Sequence, residues 1–517
     1  MPPARRKFGG DLIGALASPP PGRDKTRNTL NGGTSMTKLL ATWLLATAAY
    51  AAPALAQSAP QPRSLPAPPH VRSAPIAVPV DPKVAALRDR ALDDRVAYSI
   101  VEGLTTEVGP RPDGSPTEER ARQWAVARLK ALGFRNVHVE PYQLNNVWER
   151  GAETAEVVSP FPQKLRLAAL GNSGATPPAG VTAQVVYFPT FNDLVLAPEG
   201  SLRGKIAFVS NQMQPTQDGS SYGKEGVARF VGPGVAAQKG AIAIVIRSIG
   251  TDHGRGPHAG GTNFPAGVAP IPAAALSVAD AENLERMAKR GTPVTLHLTL
   301  TPRFVGTRTS GNVVAEVPGT DKAAGVVLVG GHLDSWDLGT GAIDDASGVA
   351  ITTAAAKLIM DQPGSPRRTI RVVWFGDEET GGWGGAAYAK AHAGERHATA
   401  SESDFGADRV WRFETNLPVS ARPVGDRLAA ALAPLGIVRG TGIAGDGTDV
   451  EPTLALGVAG IDLNQSGLRY FDWHHTPEDT LDRVDPEQLA QNVAAWTTML
   501  AVVANAPEEI GAVQPKP

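Results

Sequence analysis

The sequence of 517 residues contains no cysteine. Disulfides and thiolate ligands are therefore excluded, and any metal site must be built from His, Asp and Glu side chains. An excess of charge of one sign is lacking as well, because 49 Lys and Arg are balanced by 51 Asp and Glu, which gives a formal net charge of −2. Without a strongly basic surface, we do not expect nucleic acid as a partner.

Long apolar runs are also missing, and none reaches the length of about 18 residues that a membrane-spanning helix requires. A shorter apolar run begins at Met36 and ends in Ala-Leu-Ala before Gln57. This pattern is typical of a secretory signal peptide over 36–56, and an N-terminal anchor helix is the alternative. The pattern predicts an exported protein, periplasmic or secreted, with no stable membrane insertion after cleavage.

The remaining chain is long enough for two or three domains. Residues 1–35 are interpreted as a misassigned start, and residues 57–82, rich in Pro and Ala, as a flexible linker. We expect a catalytic domain from 83–160 and 306–510, interrupted by an inserted domain over 161–305. In the insert, short apolar strands alternate with Gly-rich loops that carry no cluster of reactive side chains. This texture predicts a β-rich unit that is not itself catalytic.

From Thr309 onward, buried strands alternate with helices, which predicts an α/β fold with a mostly parallel sheet and helices on both faces. Apolar periodicity and capping residues predict helices over 115–133, 277–291, 348–360 and 485–505. The same patterns predict strands over 136–144, 183–189, 204–210, 241–248, 294–300, 325–331, 369–376 and 459–465.

Four acidic or histidine-containing clusters follow the predicted strands of this sheet. They occupy residues 332–345, 377–379, 401–408 and 473–480. Ligands in open α/β sheets bind at the carboxyl ends of the strands, where carboxylates this close together would repel one another. A bound divalent cation such as Zn²⁺ would remove the repulsion. Taken singly, each cluster is explained as solvated surface, and His138, His253, His258 and His297 are interpreted as structural or exposed.

The motifs in their order resemble the zinc aminopeptidase and glutamate carboxypeptidase family, whose members use two co-catalytic metal ions. The resemblance covers nearly all of the chain after the signal peptide. It rests on "VGPRPDGS" (108–115), "NVHVEP" (136–141), "WERGAE" (148–153), "GHLDSWD" (331–337), "IDD" (343–345), "ESD" (402–404), "GTD" (447–449) and "HH" before "DT" (479–480). It implies a mixed, mostly parallel zinc-peptidase sheet with an inserted protease-associated domain.

The resemblance also implies a role for each residue of the motifs and two Zn²⁺ per chain. One zinc is bound by His332 and Asp404, the other by Glu379 and by His475 rather than His474, and Asp344 bridges both. Glu378 is the general base, and Asp334 orients His332. A cis peptide bond is implied between Asp344 and Asp345.

The activity implied by these roles is that of a metallo-exopeptidase. A metal-bound water activated by Glu378 would hydrolyse short peptides, chiefly dipeptides or N-terminal residues. Cleavage of C-terminal residues remains open, and it would need a cation for the terminal carboxylate, for which Arg111 and Arg469 are candidates. Two further hypotheses are a non-catalytic receptor on the same scaffold and a single-zinc acyl transferase. Monomer and homodimer both remain open.

Overall fold

The computed structural model describes residues 78–445 and 447–513, which contain two eight-stranded sheets. The predicted leader, the signal peptide and the linker up to residue 77 lie outside the described residues. The described chain opens with a helix at Pro82–Ala91, which is capped by the Asp81 side chain. Within the described ranges, no helix combines the length and apolar character needed to cross a membrane.

The first sheet carries the C-terminal half of the chain and is mixed. In spatial order its strands are Arg135–Leu144, Arg308–Val317, Ile370–Phe375, Val326–His332, His397–Glu402, Ala459–Gln465, Val410–Asn416 and Val438–Arg439. The third to sixth strands in this order run parallel to one another, whereas the first two pair antiparallel. The carboxyl ends of the four parallel strands therefore meet at one edge.

Helices cover both faces of this sheet, as the sequence predicts. Val327 and Val329 pack into the main core, whereas Leu328 between them faces a smaller core on the opposite side. The main core lies under helices Pro82–Ala91, Val96–Gly103, Pro116–Ala131, Ser347–Met360, Arg422–Leu432 and Pro486–Asn505. The smaller core lies under Trp383–Ala391 and Glu451–Leu454. This alternation follows from the two-residue period of a strand buried on both faces.

The second sheet is built from the middle of the chain. Its strands in spatial order are Gln163–Leu165, Glu153–Ser159, Thr295–Leu300, Val181–Phe188, Ile206–Val209, Ala243–Arg247, Ala273–Leu276 and Leu167–Ala169. Helices lie between them at Phe191–Leu196, Ser220–Glu225, Val227–Phe230, Gly232–Gln238 and Val278–Ala288. The segment thus carries helices as well as strands, because four of its strands are parallel and need crossover connections.

Candidate metal centre

The predicted ligands lie at the edge where the parallel strands of the first sheet end. His332 is the last residue of its strand rather than the residue after it. Glu379 and Asp404 follow the ends of the two neighbouring strands, and His475 comes after the helix Tyr470–Trp473. A parallel arrangement is what delivers residues from distant parts of the sequence to one place.

Glycines at the end of the His332 strand allow the chain to pack tightly there. A Cβ atom on Gly331 would clash with the carboxylate of Asp345. That carboxylate accepts hydrogen bonds from the backbone N–H groups of His332 at 3.0 Å and Gly348 at 2.8 Å, so it joins the strand to the following helix. The peptide bond between Asp344 and Asp345 is cis, as the resemblance implied.

Asp344 lies between His332 and His475, the two histidines that the motifs predict as metal ligands. Its Oδ1 is 3.1 Å from Nε2 of His332, and its Oδ2 is 3.2 Å from Nε2 of His475. His332 Nε2 also lies 3.4 Å from Asp404 Oδ1, and His475 Nε2 lies 2.9 Å from Glu379 Oε2. The five side chains therefore form two half-sites, His332 with Asp404 and His475 with Glu379, which share Asp344.

The chemistry of this donor set fits divalent cations. Two imidazoles and three carboxylates without a thiolate suit zinc and its neighbours. Among the described residues, no donor hydrogen-bonds to the buried oxygens Glu379 Oε1 and Asp404 Oδ1. Since burying an unpartnered carboxylate oxygen is costly, a cation in each half-site would satisfy the oxygen that lies there.

The pKa shifts that the protein chain alone produces also favour a bound cation. Burial, reinforced by the charge of Asp404, raises the pKa of Glu378 well above its usual value. Burial also raises the pKa values of Glu379 and Asp404. For His332, burial lowers the pKa, but the surrounding carboxylates outweigh it and hold the pKa well above the ordinary value. Positive charge is therefore strongly favoured among these side chains.

Asp334 contacts both the histidine strand and the glutamate pair. Its carboxylate accepts hydrogen bonds from the backbone N–H groups of Glu378 at 3.2 Å and Glu379 at 3.1 Å. Its backbone carbonyl, not its carboxylate, is the nearer partner of His332 Nδ1, at 3.1 Å against 3.7 Å. Asp334 therefore fixes the glutamate pair directly and reaches His332 mainly through its main chain.

Several acidic members of the four clusters lie outside the centre. Asp337 pairs with Arg150, and Asp408 pairs with Arg469. Glu478 pairs with Arg483. The Asp479 carboxylate accepts the backbone N–H groups of residues 342 and 343, at 2.8 and 2.7 Å, and so shapes the turn that carries Asp344.

His474 is a further candidate ligand that the sequence interpretation set aside. Its ring stacks on His475 with centroids 3.5 Å apart, and its Nε2 lies 3.5 Å from Asp344 Oδ2. The atoms of His474, His475 and Asp344 are close enough to hold one ion together. The signal for it was the adjacent pair of histidines, which does not by itself say which ring faces the carboxylates.

The second sheet region contributes supporting contacts to the centre, although none of the five predicted ligands lies in it. The loop 251–262, called here the bridging loop, contacts the segment that carries His475. The backbone N–H of Ala259 donates to the carbonyl of His475 at 2.8 Å, and Nδ1 of His258 lies 2.7 Å from the carbonyl of His474. Nε2 of His258 lies 2.8 Å from Asp252 Oδ1, so this buried ring is held on both sides.

A cavity of about 440 Å³ opens over the half-sites. Its floor includes Glu378 and Asp344, and residues of both sheet regions form its walls, among them Tyr222, Arg229 and Phe471. A second cavity of about 590 Å³, which also borders Glu379, is lined by Trp148, Trp336 and Trp383. Together they have the size and mixed lining of a binding site for a small organic molecule.

Comparisons with known proteins match this arrangement. Residues 312–500 match the model of Peptidase family M28. Human carboxypeptidase Q is 35% identical over 414 residues, which is 80% of this chain and 86% of that protein. Aminopeptidase YwaD of Bacillus subtilis is 24% identical over 412 residues, 76% of this chain and 81% of that protein.

Solved structures give the same result. The crystal structure of a peptidase M28 precursor from Shewanella amazonensis has a TM-score of 0.82 and 48% identity, covering 84% of this chain and 99% of that chain. The aminopeptidase of Aneurinibacillus has the same fold, with a TM-score of 0.55, 22% identity and coverage of 84% and 98%. The resemblance inferred from the motifs is thereby confirmed, and the chain belongs to peptidase family M28, a family of metallo-exopeptidases.

Proposed function

We propose that this chain is an exported, zinc-dependent exopeptidase that hydrolyses short peptides, chiefly dipeptides or N-terminal residues. The observation that carries the proposal is the position of Asp344, whose two oxygens face His332 and His475 in separate half-sites. A carboxylate with one oxygen in each half-site can bind two metal ions at the same time.

In the proposed assignment, His332 and Asp404 would hold one Zn²⁺, Glu379 and His475 would hold the other, and Asp344 would be shared between the two. Zinc content of His474→Ala tests whether His474 joins the second half-site. Two zinc ions bound there would supply Lewis-acid polarisation of the scissile carbonyl and activation of a water. Asp334 is a positioning residue, because it holds the backbone of the glutamate pair.

Glu378 is the proposed general base. It lines the cavity beside Asp344 and Asp404 without belonging to either half-site. Its carboxylate takes a proton from the attacking water and passes it to the leaving amine, so no covalent intermediate with the chain is needed. The raised pKa that burial gives this carboxyl group suits a residue that must hold that proton between the two steps.

The proposed substrate carries a free amino terminus. The acidic side chains that border the half-sites, Glu378 among them, favour an α-ammonium group next to the scissile carbonyl. The name of the relative carboxypeptidase Q supports cleavage at the other end of a peptide, and the name of the YwaD aminopeptidase supports cleavage at the amino end. A dipeptidase, which binds both ends of its substrate, is compatible with both names.

The test is hydrolysis of a free dipeptide and its N-acetyl form by purified protein whose zinc content is measured on the same sample. We expect about two zinc ions per chain, loss of activity on chelation and recovery on adding zinc. The free dipeptide should be cleaved and its N-acetyl form should not. Equal cleavage of both forms would refute the amino-terminal preference, and metal-loaded protein inactive on all peptides would favour a receptor-like role.

A further inference from the structure

We infer that Arg229 binds the free α-carboxylate of the substrate, which would make the chain a dipeptidase. This inference rests on the proposed function and deepens it by naming what is recognised at the second end of the peptide. Arg229 lies in the helix Val227–Phe230, which belongs to the second sheet region, and it lines the 440 Å³ cavity over the half-sites.

The guanidinium of Arg229 is buried without an acidic partner. The residue is only 3% exposed, and within the described ranges no carboxylate lies at ion-pair distance from it. Nη1 donates to the carbonyl of Ala259 at 3.3 Å, Nη2 donates to the hydroxyl of Tyr222, and Nε has no partner among the described residues. A cation taken out of water in this way is costly unless an anion is bound beside it.

The position of Arg229 relative to the half-sites suits an anion on the substrate. Nη1 lies 3.3 Å from Nδ1 of His475, whose Nε2 faces Glu379. The guanidinium is therefore separated from the second half-site by one imidazole ring. A dipeptide bound in the cavity with its amino terminus near the acidic side chains has its carboxylate one residue beyond the scissile bond, and Arg229 lines the same cavity.

The aromatic neighbours of Arg229 fix its plane. The guanidinium carbon lies 4.5 Å from the ring centroid of Phe230 and 5.3 Å from that of Tyr222. Stacking of this kind leaves the guanidinium edge at Nε, which has no partner among the described residues, to donate to a carboxylate in the plane of the guanidinium.

The two arginines that the sequence suggested for this task are unsuitable. Arg111 is fully buried, and its guanidinium donates to the backbone carbonyls of residues 109, 333, 340 and 341 at 2.6–3.1 Å. It therefore holds the turn before Asp344 and has no free edge for a ligand. Arg469 forms its ion pair with Asp408 and stacks near Trp473, away from the cavity.

The experiment compares hydrolysis of a free dipeptide and its C-terminal amide by the zinc-loaded wild type, Arg229→Gln, Arg229→Lys and the surface control Arg290→Gln. In the wild type, we expect kcat/KM to be about 10- to 100-fold higher for the free dipeptide, which is the range for a hydrogen bond to a charged group. Arg229→Gln should reduce this ratio to near one by raising KM for the free dipeptide, with hydrolysis of the amide retained. Arg229→Lys should give an intermediate ratio, and Arg290→Gln the wild-type ratio.

Three outcomes would overturn the inference. A wild type that cleaves acid and amide equally well would show that no carboxylate is recognised, while leaving the proposed peptidase activity intact. An unchanged ratio in Arg229→Gln would place the recognition elsewhere. Equal loss of both substrates in Arg229→Gln and Arg229→Lys, with reduced zinc content, would show that Arg229 only supports His475. Failure of the proposed function looks different, because the zinc-loaded wild type would then cleave neither substrate.

Discussion

The backbone N–H of Ala259 donates a hydrogen bond to the carbonyl oxygen of His475 at 2.8 Å, and this bond ties a loop of the second sheet region to a proposed metal ligand of the first. His475 has a positive φ of 63°, a conformation that non-glycine residues rarely adopt. The hydrogen bond from the bridging loop therefore supports His475 in an uncommon backbone conformation.

Replacing His258 should weaken zinc binding although it is not a ligand. In His258→Ala the carbonyl of His474 loses its partner at 2.7 Å, so the ring of His475 is held less firmly. Outer partners of metal ligands typically contribute about 10- to 100-fold to affinity, and we expect a loss of this size at one of two sites in zinc titrations. His253→Ala is the matched control, because that side chain is 77% exposed. Equal affinities in the two variants would contradict a role for His258.

Glu378→Gln should separate metal binding from chemistry. Glutamine has nearly the same shape but cannot accept a proton from water, so we expect kcat to fall by about 10³-fold or more with two zinc ions retained. The measurements are steady-state kinetics on a dipeptide and zinc content of the same preparation. Turnover near that of the wild type, with zinc present, would remove Glu378 from the role of general base.

Asp344→Asn should weaken both half-sites, whereas Asp404→Asn and Glu379→Gln should each weaken mainly one. The reason is that the two oxygens of Asp344 face different histidines, 3.1 and 3.2 Å away. Zinc titration of the three variants with a chromophoric competitor chelator provides the measurement. Full double occupancy in Asp344→Asn at wild-type affinity would be incompatible with a bridging carboxylate.

Zinc uptake should release protons. The pKa of Glu378 is raised by burial, and carboxylates hold the pKa of His332 well above its ordinary value despite burial. Both groups therefore bind a proton more readily in the metal-free protein than they do in water, and a bound cation opposes that protonation. The apparent zinc affinity should consequently fall as pH decreases. Calorimetry in two buffers of different ionisation enthalpy measures the number of protons released per zinc ion bound. A value of zero at about pH 7 would contradict the prediction.

Export predicts the amino terminus of the mature protein. Cleavage after Ala56 should leave Gln57 as the first residue, because Ala54 and Ala56 are the small side chains that precede the cleavage site. Mass spectrometry of protein isolated from its native cells identifies the terminus. Retention of Met1 or Met36 in cytoplasmic protein would exclude a cleaved signal peptide.

The sequence predicts best where burial and periodicity coincide. The strands Val326–His332 and Ile370–Phe375 are buried and mostly apolar, and their prediction agrees with the structure within one residue at each end. The strand His397–Glu402 is equally buried, but its sequence "HATASE" is mostly polar, and for this reason the strand was not predicted. The short helix Gly232–Gln238 begins "GPG", a pattern that normally indicates a loop.

For the site, motif order identified side chains that the structure brings together, but not the residues that hold them. His258 and the segment it supports are 216 residues apart, and Arg229 is 246 residues from His475. Neither contact can be predicted from local spacing or propensity, because residues so far apart in the sequence meet only when the two sheet regions pack. Arg111 shows that a motif can also mislead. The sequence suggested it as a partner for the substrate carboxylate, but its guanidinium donates to backbone carbonyls.

His475 is the last of the five proposed ligands in chain order, and its supporting loop is synthesised 216 residues before the segment it contacts. At a synthesis rate of about 5–20 residues per second, the segment that contacts this loop is made about 10 to 40 seconds after the loop itself. The residues of the half-site of His332 and Asp404 are synthesised earlier than His475. In the proposed assignment, a second ion could bind only after His475 has been synthesised, and an exported chain would bind it in the compartment where it folds.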